Sequence, residues 1–300
     1  MMRVGTAPIS WGVSEMPDWG QVLPAAQVLD EMTATGYAGT ELGPWGYLPD
    51  NIERLRADLD GRGLALIGGF CPVTLHLPER QAEQQRFALE VARRLRDLGA
   101  TVLVLAEAGD AARLASAGHV APGSTPAFAA DDWRRFAAGA AAIAAAAREI
   151  GLTTAFHPHV GSYVETEAEI ADLLQRTDPA LLGLCVDSGH LAYAGADPVA
   201  LTERYRDRIR HVHLKDVSAA VLRQAQTQGW SFAEAVGQGI FVPLGDGMVG
   251  LPAMLAALRS AEYDGWLVVE QDRRLLGAAQ QTRSRADAER SRQALRAQGL

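Results

Sequence analysis

The chain reads as an α/β protein with a single (β/α)8 TIM-barrel domain, on three observations. Eight short apolar runs alternate with eight amphipathic helical segments, no composition break divides the 300 residues, and residues able to do chemistry cluster where the runs end. A parallel barrel gathers the carboxyl ends of its strands on one face, so residues scattered along the sequence can meet there.

The strand candidates lie at 3–9, 38–42, 65–70, 102–107, 153–157, 182–187, 209–214 and 266–270. They are β-branched and continuous rather than alternating, as strands buried on both faces are. Helices are expected at about 21–35, 50–62, 79–98, 131–150, 166–177, 197–207, 251–261 and 279–298. Thr166 stands three residues before Glu169, a capping-box pattern. Pro198 and Pro252 suit first helical turns, and Gly36, Gly63, Gly99 and Gly151 sit where helices stop. The alanine-rich stretch 137–147 reads as a buried helix face. A doubly wound open sheet is the rival, but it rarely needs eight evenly spaced strand–helix units. The domain therefore spans 1–300, with a long loop after the seventh strand at about 216–250. That loop reads as a lid or substrate loop with a short helix near 218–236, and 108–130 is a second loop on the same face.

Hydrophobic content of 48% and charged content of 21% fit a globular protein with a large core. A net charge of −8 argues against nucleic acid, whose phosphates call for a basic surface. No apolar run reaches the roughly 18 residues that span a bilayer, and the N-terminus lacks a signal-peptide core. No membrane partner and a cytoplasmic location are expected, with homo-oligomerisation left open. Cys71 and Cys185 lie in apolar runs and read as buried thiols. Neither a nucleophile elbow nor a phosphate loop is present.

Five of the seven histidines fall between 157 and 213, in the strings His157-x-His159, Asp187-x-x-His190 and His211-x-His213-x-Lys215-Asp216. Alternate residues of a strand face the same way, so both imidazoles of the third string face the barrel interior or its mouth. Asp187 could instead cap the next helix, with His190 on the surface. Glu270 ends an apolar strand, where a lone carboxylate is costly unless paired or metal-bound. Together the strings point to a metal site. Glu41 and Glu107, at the ends of strands two and four, either line the pocket or serve as structural ion-pair partners. Trp11, Trp45, Tyr47 and Phe70 fall at or just after strand ends, where they form either an aromatic wall or core packing. Gly245-Asp246-Gly247 reads as a turn.

At these residues the chain resembles the sugar phosphate isomerase/epimerase superfamily, the xylose isomerase-like barrels that include endonuclease IV. The matching strings are Asp187-x-x-His190, His211-x-His213-x-Lys215-Asp216 and Tyr263–Glu270. Within the superfamily it resembles the inosose dehydratases, through Thr6–Gly12, Gly39–Pro49, Phe156–Gly161 and Gly239–Gly245. The resemblance covers essentially the whole chain. It implies one divalent metal held by residues from strands five to eight: Asp187, His213 and Glu270, with His157 standing where the epimerases carry glutamate. That departure leaves one of the two glutamates on which ketose epimerisation depends, and favours a one-base elimination.

The expected activity is a hydro-lyase acting on a cyclic polyol ketone such as 2-keto-myo-inositol. Glu270, His159, His190, Lys215 and Glu41 are the candidate proton handlers, with base and acid unassigned. Trp11, Trp45, Tyr47 and Glu107 are the candidate substrate-binding residues. Two imidazoles and two carboxylates suit Mn²⁺ or Co²⁺, with Zn²⁺ or Fe²⁺ as alternatives, over Mg²⁺ or Ca²⁺. The alternatives are a metal-dependent sugar epimerase or isomerase, and a metal- or sugar-binding barrel without catalysis. Endonuclease activity is a third, which the acidic charge disfavours.

Overall fold

Parallel pairing runs through the main sheet of the computed structural model, which describes residues 2–121 and 123–300. In chain order the strands are β1 (Arg3–Thr6), β2 (Gly39–Thr40), β3 (Ala65–Leu66), β4 (Gly68–Val73), β5 (Val102–Glu107), β6 (Thr153–Phe156), β7 (Leu182–Asp187), β8 (Ile209–Leu214), β9 (Asp216–Val217), β10 (Phe241–Val242) and β11 (Trp266–Val269). Nine of them form one sheet in the order β3-β2-β1-β11-β8-β7-β6-β5-β4, and β9 and β10 pair antiparallel beside it.

The nine strands make an eight-membered barrel, because β3 and β4 are two halves of one run interrupted at Ile67. The first half pairs with β2 and the second with β5. Across the break, the Ile67 N–H donates to the Thr40 carbonyl at 2.9 Å and the Leu42 N–H to the Gly68 carbonyl at 2.9 Å. The strand expected at 65–70 is therefore longer and split. It closes the ring by pairing to each side in turn.

The helices are α1 (Ala25–Thr35), α2 (Ile52–Asp60), α3 (Pro78–Asp97), α4 (Ala111–Ala115), α5 (Ala130–Glu149), α6 (Glu167–Gln175), α7 (Ser188–Tyr193), α8 (Pro198–Arg204), α9 (Ala219–Gln228), α10 (Phe232–Gly237), α11 (Leu251–Ser260) and α12 (Ala278–Ala297). The eight expected helices correspond to α1, α2, α3, α5, α6, α8, α11 and α12. At the start of α6, the Glu169 N–H donates to Thr166 Oγ1 at 3.4 Å and the Thr166 N–H donates to Glu169 Oε2 at 2.8 Å. Gly36, at φ +87°, ends α1 in the left-handed conformation. The loop after the seventh strand folds as two helices, α9 and α10, together with the β9–β10 pair. No described helix is long and apolar enough to cross a membrane.

Strand alternation divides the core. Leu103, Leu105, Phe156, Leu184, Val212 and Leu267 pack outward in the large cluster shared with the helices. Their neighbours Val102, Val104, Ala155 and Cys185 form a small cluster inside the barrel, and Trp266 and Val268 form another with Ala7 and Ile67. Both cysteines are buried free thiols. Toward the carboxyl ends the inward column turns polar. The β7–β8 register, after a shift between Leu184 and Cys185, sets Asp187 opposite His213. The β8–β11 register sets His213 opposite Val268, which carries Glu270 alongside Lys215.

Asp216 fixes the chain just past that column. Its Oδ1 accepts from the N–H groups of Val217 (2.9 Å) and Val249 (3.0 Å), and its Oδ2 from those of Gly245 (2.9 Å) and Gly247 (3.0 Å). These bonds hold the glycine turn expected at Gly245-Asp246-Gly247. Replacing Asp216 with alanine orphans four donors, so we expect a loss of about 3 kcal/mol of stability in urea unfolding. A change below about 0.5 kcal/mol would show that the carboxylate does not hold this segment.

Candidate functional site

A cavity of about 440 Å³ opens at the carboxyl ends of the strands. Trp19, Trp45, Phe70, Phe87, Leu114 and Phe232 contribute to its walls, and its floor includes His157, His159, His213, Lys215, Glu270 and Asp272. Phe232 comes from α10, so the long loop after the seventh strand supplies one wall. Leu114 comes from α4, inside the second long loop. Buried Arg113 pins that loop by donating to Glu169 Oε1 at 2.9 Å and Glu169 Oε2 at 3.0 Å.

The β8 column of His211, His213 and Lys215 organises the floor. Glu41, just past β2, places Oε1 2.7 Å from His211 Nε2 and 2.9 Å from His213 Nε2. Burial alone would raise the Glu41 pKa, but the two imidazoles outweigh it and keep the carboxyl ionised. Each Nε2 therefore donates to Glu41, and His213 presents Nδ1 to the centre. That atom lies 3.2 Å from Glu270 Oε2 and 3.6 Å from Asp187 Oδ2, buried and without a well-aligned hydrogen bond.

Asp187 serves two structures at once. Its Oδ1 accepts from the Gly189 and His190 N–H groups, both at 2.9 Å, and so caps α7. This turns Oδ2 inward, 3.2 Å from His157 Nε2 and 3.2 Å from Lys215 Nζ. Burial opposes its charge, yet Lys215, His190 and the hydrogen-bonding imidazoles hold its pKa well below the ordinary value. Burial likewise opposes charge on Lys215, but Asp187, Asp272 and Glu270 raise its pKa well above normal. His213 is also raised, because Cys185, Glu270 and Glu41 outweigh burial. Burial keeps His157 and His190 neutral, and pushes His159 down to about 3 with help from His157 and Lys215.

The donor chemistry fits a metal ion. Ligand atoms of Asp187, His213 and Glu270 lie within 4.8 Å of one another, as do those of His157, Asp187 and His190. Asp187 is common to both groups, so the four residues expected as ligands adjoin. His213 Nδ1 is buried against the Glu270 and Asp187 carboxylates without a well-aligned hydrogen bond, a position that a cation would fill in place of its proton. His157 is already neutral beside ionised carboxylates, as ligation requires, whereas His213 would give up a proton on binding.

Other expected residues fall in different places. Trp45 lines the cavity, edge-on to Phe87 at 5.6 Å and under the Arg94 guanidinium at 5.1 Å. Glu107 also lines it, with Oε2 accepting from the N–H groups of Gly109 (2.9 Å) and Tyr163 (2.7 Å), and burial raises its pKa to about 7. Trp11 and Tyr47 do not line the cavity. Trp11 is fully buried in the helix-side core, where Nε1 donates to Glu31 Oε2 at 2.8 Å. Tyr47 donates its hydroxyl to the Leu23 carbonyl at 3.0 Å. His190 was expected at the mouth, but it lies off the cavity wall, with Nε2 accepting from Lys215 Nζ at 3.0 Å. Nor is it a surface residue, since it is 2% exposed. Glu41 lies on the cavity floor, tied to two imidazoles.

Two residues of the sequence strings take roles that the sequence reading does not assign them individually. Asp272 lines the cavity with Oδ1 2.9 Å from Lys215 Nζ. His211 supports Glu41 from below. Both lie two positions from residues already singled out, Glu270-x-Asp272 and His211-x-His213, and for His211, inside β8, that period of two was the available signal.

The xylose isomerase-like TIM barrel family matches residues 29–298. An inosose dehydratase from Lacticaseibacillus casei is 34% identical over 271 residues, 90% of each chain. The rhizopine catabolism protein MocC of Rhizobium meliloti is 39% identical over 272 residues, 90% of this chain and 82% of that one. Among solved structures, the IolI protein with a bound zinc atom superposes with a TM-score of 0.71 at 13% identity, covering 98% of this chain and 96% of that one. The chain belongs to the xylose isomerase-like TIM-barrel family, in the branch that holds the inosose dehydratases.

Proposed function

We propose that this enzyme is a cytoplasmic hydro-lyase that removes water from a cyclic polyol ketone such as 2-keto-myo-inositol, with one divalent transition metal as cofactor. The observation that carries the reading is the convergence of imidazoles and ionised carboxylates on the floor of a cavity of about 440 Å³, a size suited to a small ring. Its inosose dehydratase relatives supply the substrate class.

His157, Asp187, His213 and Glu270 would hold the ion, His213 through Nδ1 because Glu41 takes Nε2. This donor set suits Mn²⁺ or Co²⁺ first, then Zn²⁺ or Fe²⁺. When bound, such an ion polarises a ketone and acidifies the neighbouring C–H bond. Of the five candidate proton handlers, Glu41, Glu270, His159 and Lys215 line the cavity, and Glu41 is committed through Oε1 to His211 and His213. Glu270 removes the proton next to the ketone. Lys215 donates to the departing hydroxyl. His159 Nδ1 donates to the Val160 carbonyl at 2.8 Å, which leaves Nε2 to accept from a substrate hydroxyl and orient the ring. Glu41 and His190 act by positioning, the first on His213 and the second on Lys215. Trp45 supplies an apolar face to the ring. Two-base epimerisation lacks a carboxylate at position 157, where a neutral imidazole bonds Asp187.

Two outcomes test this reading. Metal-loaded protein incubated with 2-keto-myo-inositol should yield a product one water lighter by mass, and should leave ketohexoses unchanged. Interconversion of two ketohexoses without loss of water would instead establish an epimerase. Elemental analysis of protein purified without chelator should find about one equivalent of a transition metal, with most of it lost in Asp187→Asn and His213→Ala. Glu41→Gln should weaken metal affinity by about 10–100-fold, the usual effect of losing a partner that orients a ligating imidazole. Wild-type occupancy in both ligand variants would place the ion elsewhere.

A further inference from the structure

The chain contains 27 arginines and a single lysine, and that lysine is Lys215 on the cavity floor. Its ammonium lies 2.9 Å from Asp272 Oδ1, 3.0 Å from Glu270 Oε2, 3.2 Å from Asp187 Oδ2 and 3.0 Å from His190 Nε2. An ammonium is a compact point charge with three rotatable donors, whereas a guanidinium is a rigid planar fork. Acceptors grouped around one point call for the former. Two of these acceptors, Asp187 and Glu270, are residues to which the functional reading gives the metal. Asp272 is different. Among the described residues it belongs to no group able to hold a metal, and its nearest cationic partner is Lys215. Both Glu270 and Asp272, two positions apart, face the ammonium, and only Glu270 of the two belongs to a group able to hold a metal.

We propose that Lys215 is a resident counter-ion that shares the Asp187 and Glu270 oxygens with the metal, and that Asp272 is the positioning residue that draws the ammonium aside so that the two cations coexist. The inference rests on the functional reading above. Without another cation, Lys215 neutralises the buried carboxylates. With one, the ammonium keeps Asp272 and His190 and turns its remaining donor to the cavity, where the departing hydroxyl sits. Asp272 thus acts on both the metal and the proton donor through Lys215.

The test is a double-mutant cycle in metal affinity, which requires no turnover. Co²⁺ is titrated calorimetrically into chelator-stripped wild type, Asp272→Asn, Lys215→Met and the double variant, each checked for folding by circular dichroism. Lys215→Met removes a competing cation and should tighten binding about tenfold. Asp272→Asn should weaken it about tenfold in the wild-type background, by leaving the ammonium on Asp187 and Glu270, and by less than about twofold when Lys215 is already gone. Lys215→Gln serves the same purpose if the methionine variant does not fold. Equal weakening by Asp272→Asn in both backgrounds would mean that Asp272 acts directly on the metal, and would overturn the inference while leaving the functional reading intact. Failure of the wild type to bind Co²⁺, Mn²⁺ or Zn²⁺ would remove both.

Discussion

The carboxylates of Glu41, Asp187, Glu270 and Asp272 are all buried at the mouth of the barrel, and the surrounding geometry follows from what it takes to keep them there. An ionised carboxylate removed from water costs several kcal/mol unless cations and hydrogen bonds replace its hydration. The chain supplies Lys215 between three of them and the His211–His213 pair against the fourth. His213 is raised well above the ordinary histidine pKa because the cluster without a metal still favours another positive charge. A divalent ion between Asp187, His213 and Glu270 would supply that charge and release the proton from Nδ1. Metal binding and proton release would therefore be coupled in this site.

The scaffold holds this charge by giving residues two tasks. Asp187 caps α7 with one oxygen and faces the centre with the other. Glu41 bridges two successive inward residues of β8, fixing their tautomers and their rotation together. Asp216, one residue beyond Lys215, ties the backbone of the returning segment, so the column ends on a rigid anchor. Mobile residues could not keep these groups at hydrogen-bond distance against their mutual repulsion. The site sits on strand ends and capped turns for that reason.

Much of this was legible in the sequence, and the misses have physical causes. The sequence places β7 and β8 to the residue, β7 by an apolar run closed by Asp187 and β8 by alternate His211 and His213 facing one way. The split between β3 and β4 was not legible, since it arises from ring closure, a property of the whole sheet. The helix α7 was hidden inside Asp187-x-x-His190, where capping and convergence on the centre were weighed as alternatives and the same carboxylate does the first with one oxygen and turns the other inward. Of the two readings of Trp11, mouth wall or core, the structure takes the core: the chain enters a short 3-10 turn over Pro8–Trp11 and delivers the indole beside Glu31. Asp272 carries no role in the sequence reading because it lies beyond the strand, which ends at Val269, where alternation no longer predicts which way a side chain faces.

The central claim is that the buried carboxylate cluster is a cation site shared between Lys215 and a transition metal. Anomalous diffraction from a crystal of chelator-stripped protein soaked in Mn²⁺ tests it most directly. The account predicts one anomalous peak at bonding distance, roughly 2.0–2.3 Å, from Asp187, His213 Nδ1 and Glu270, with His157 completing the set and the ammonium retained on Asp272. An absence of any peak there, with Lys215 still bridging Asp187 and Glu270 in a fully occupied position, would contradict it.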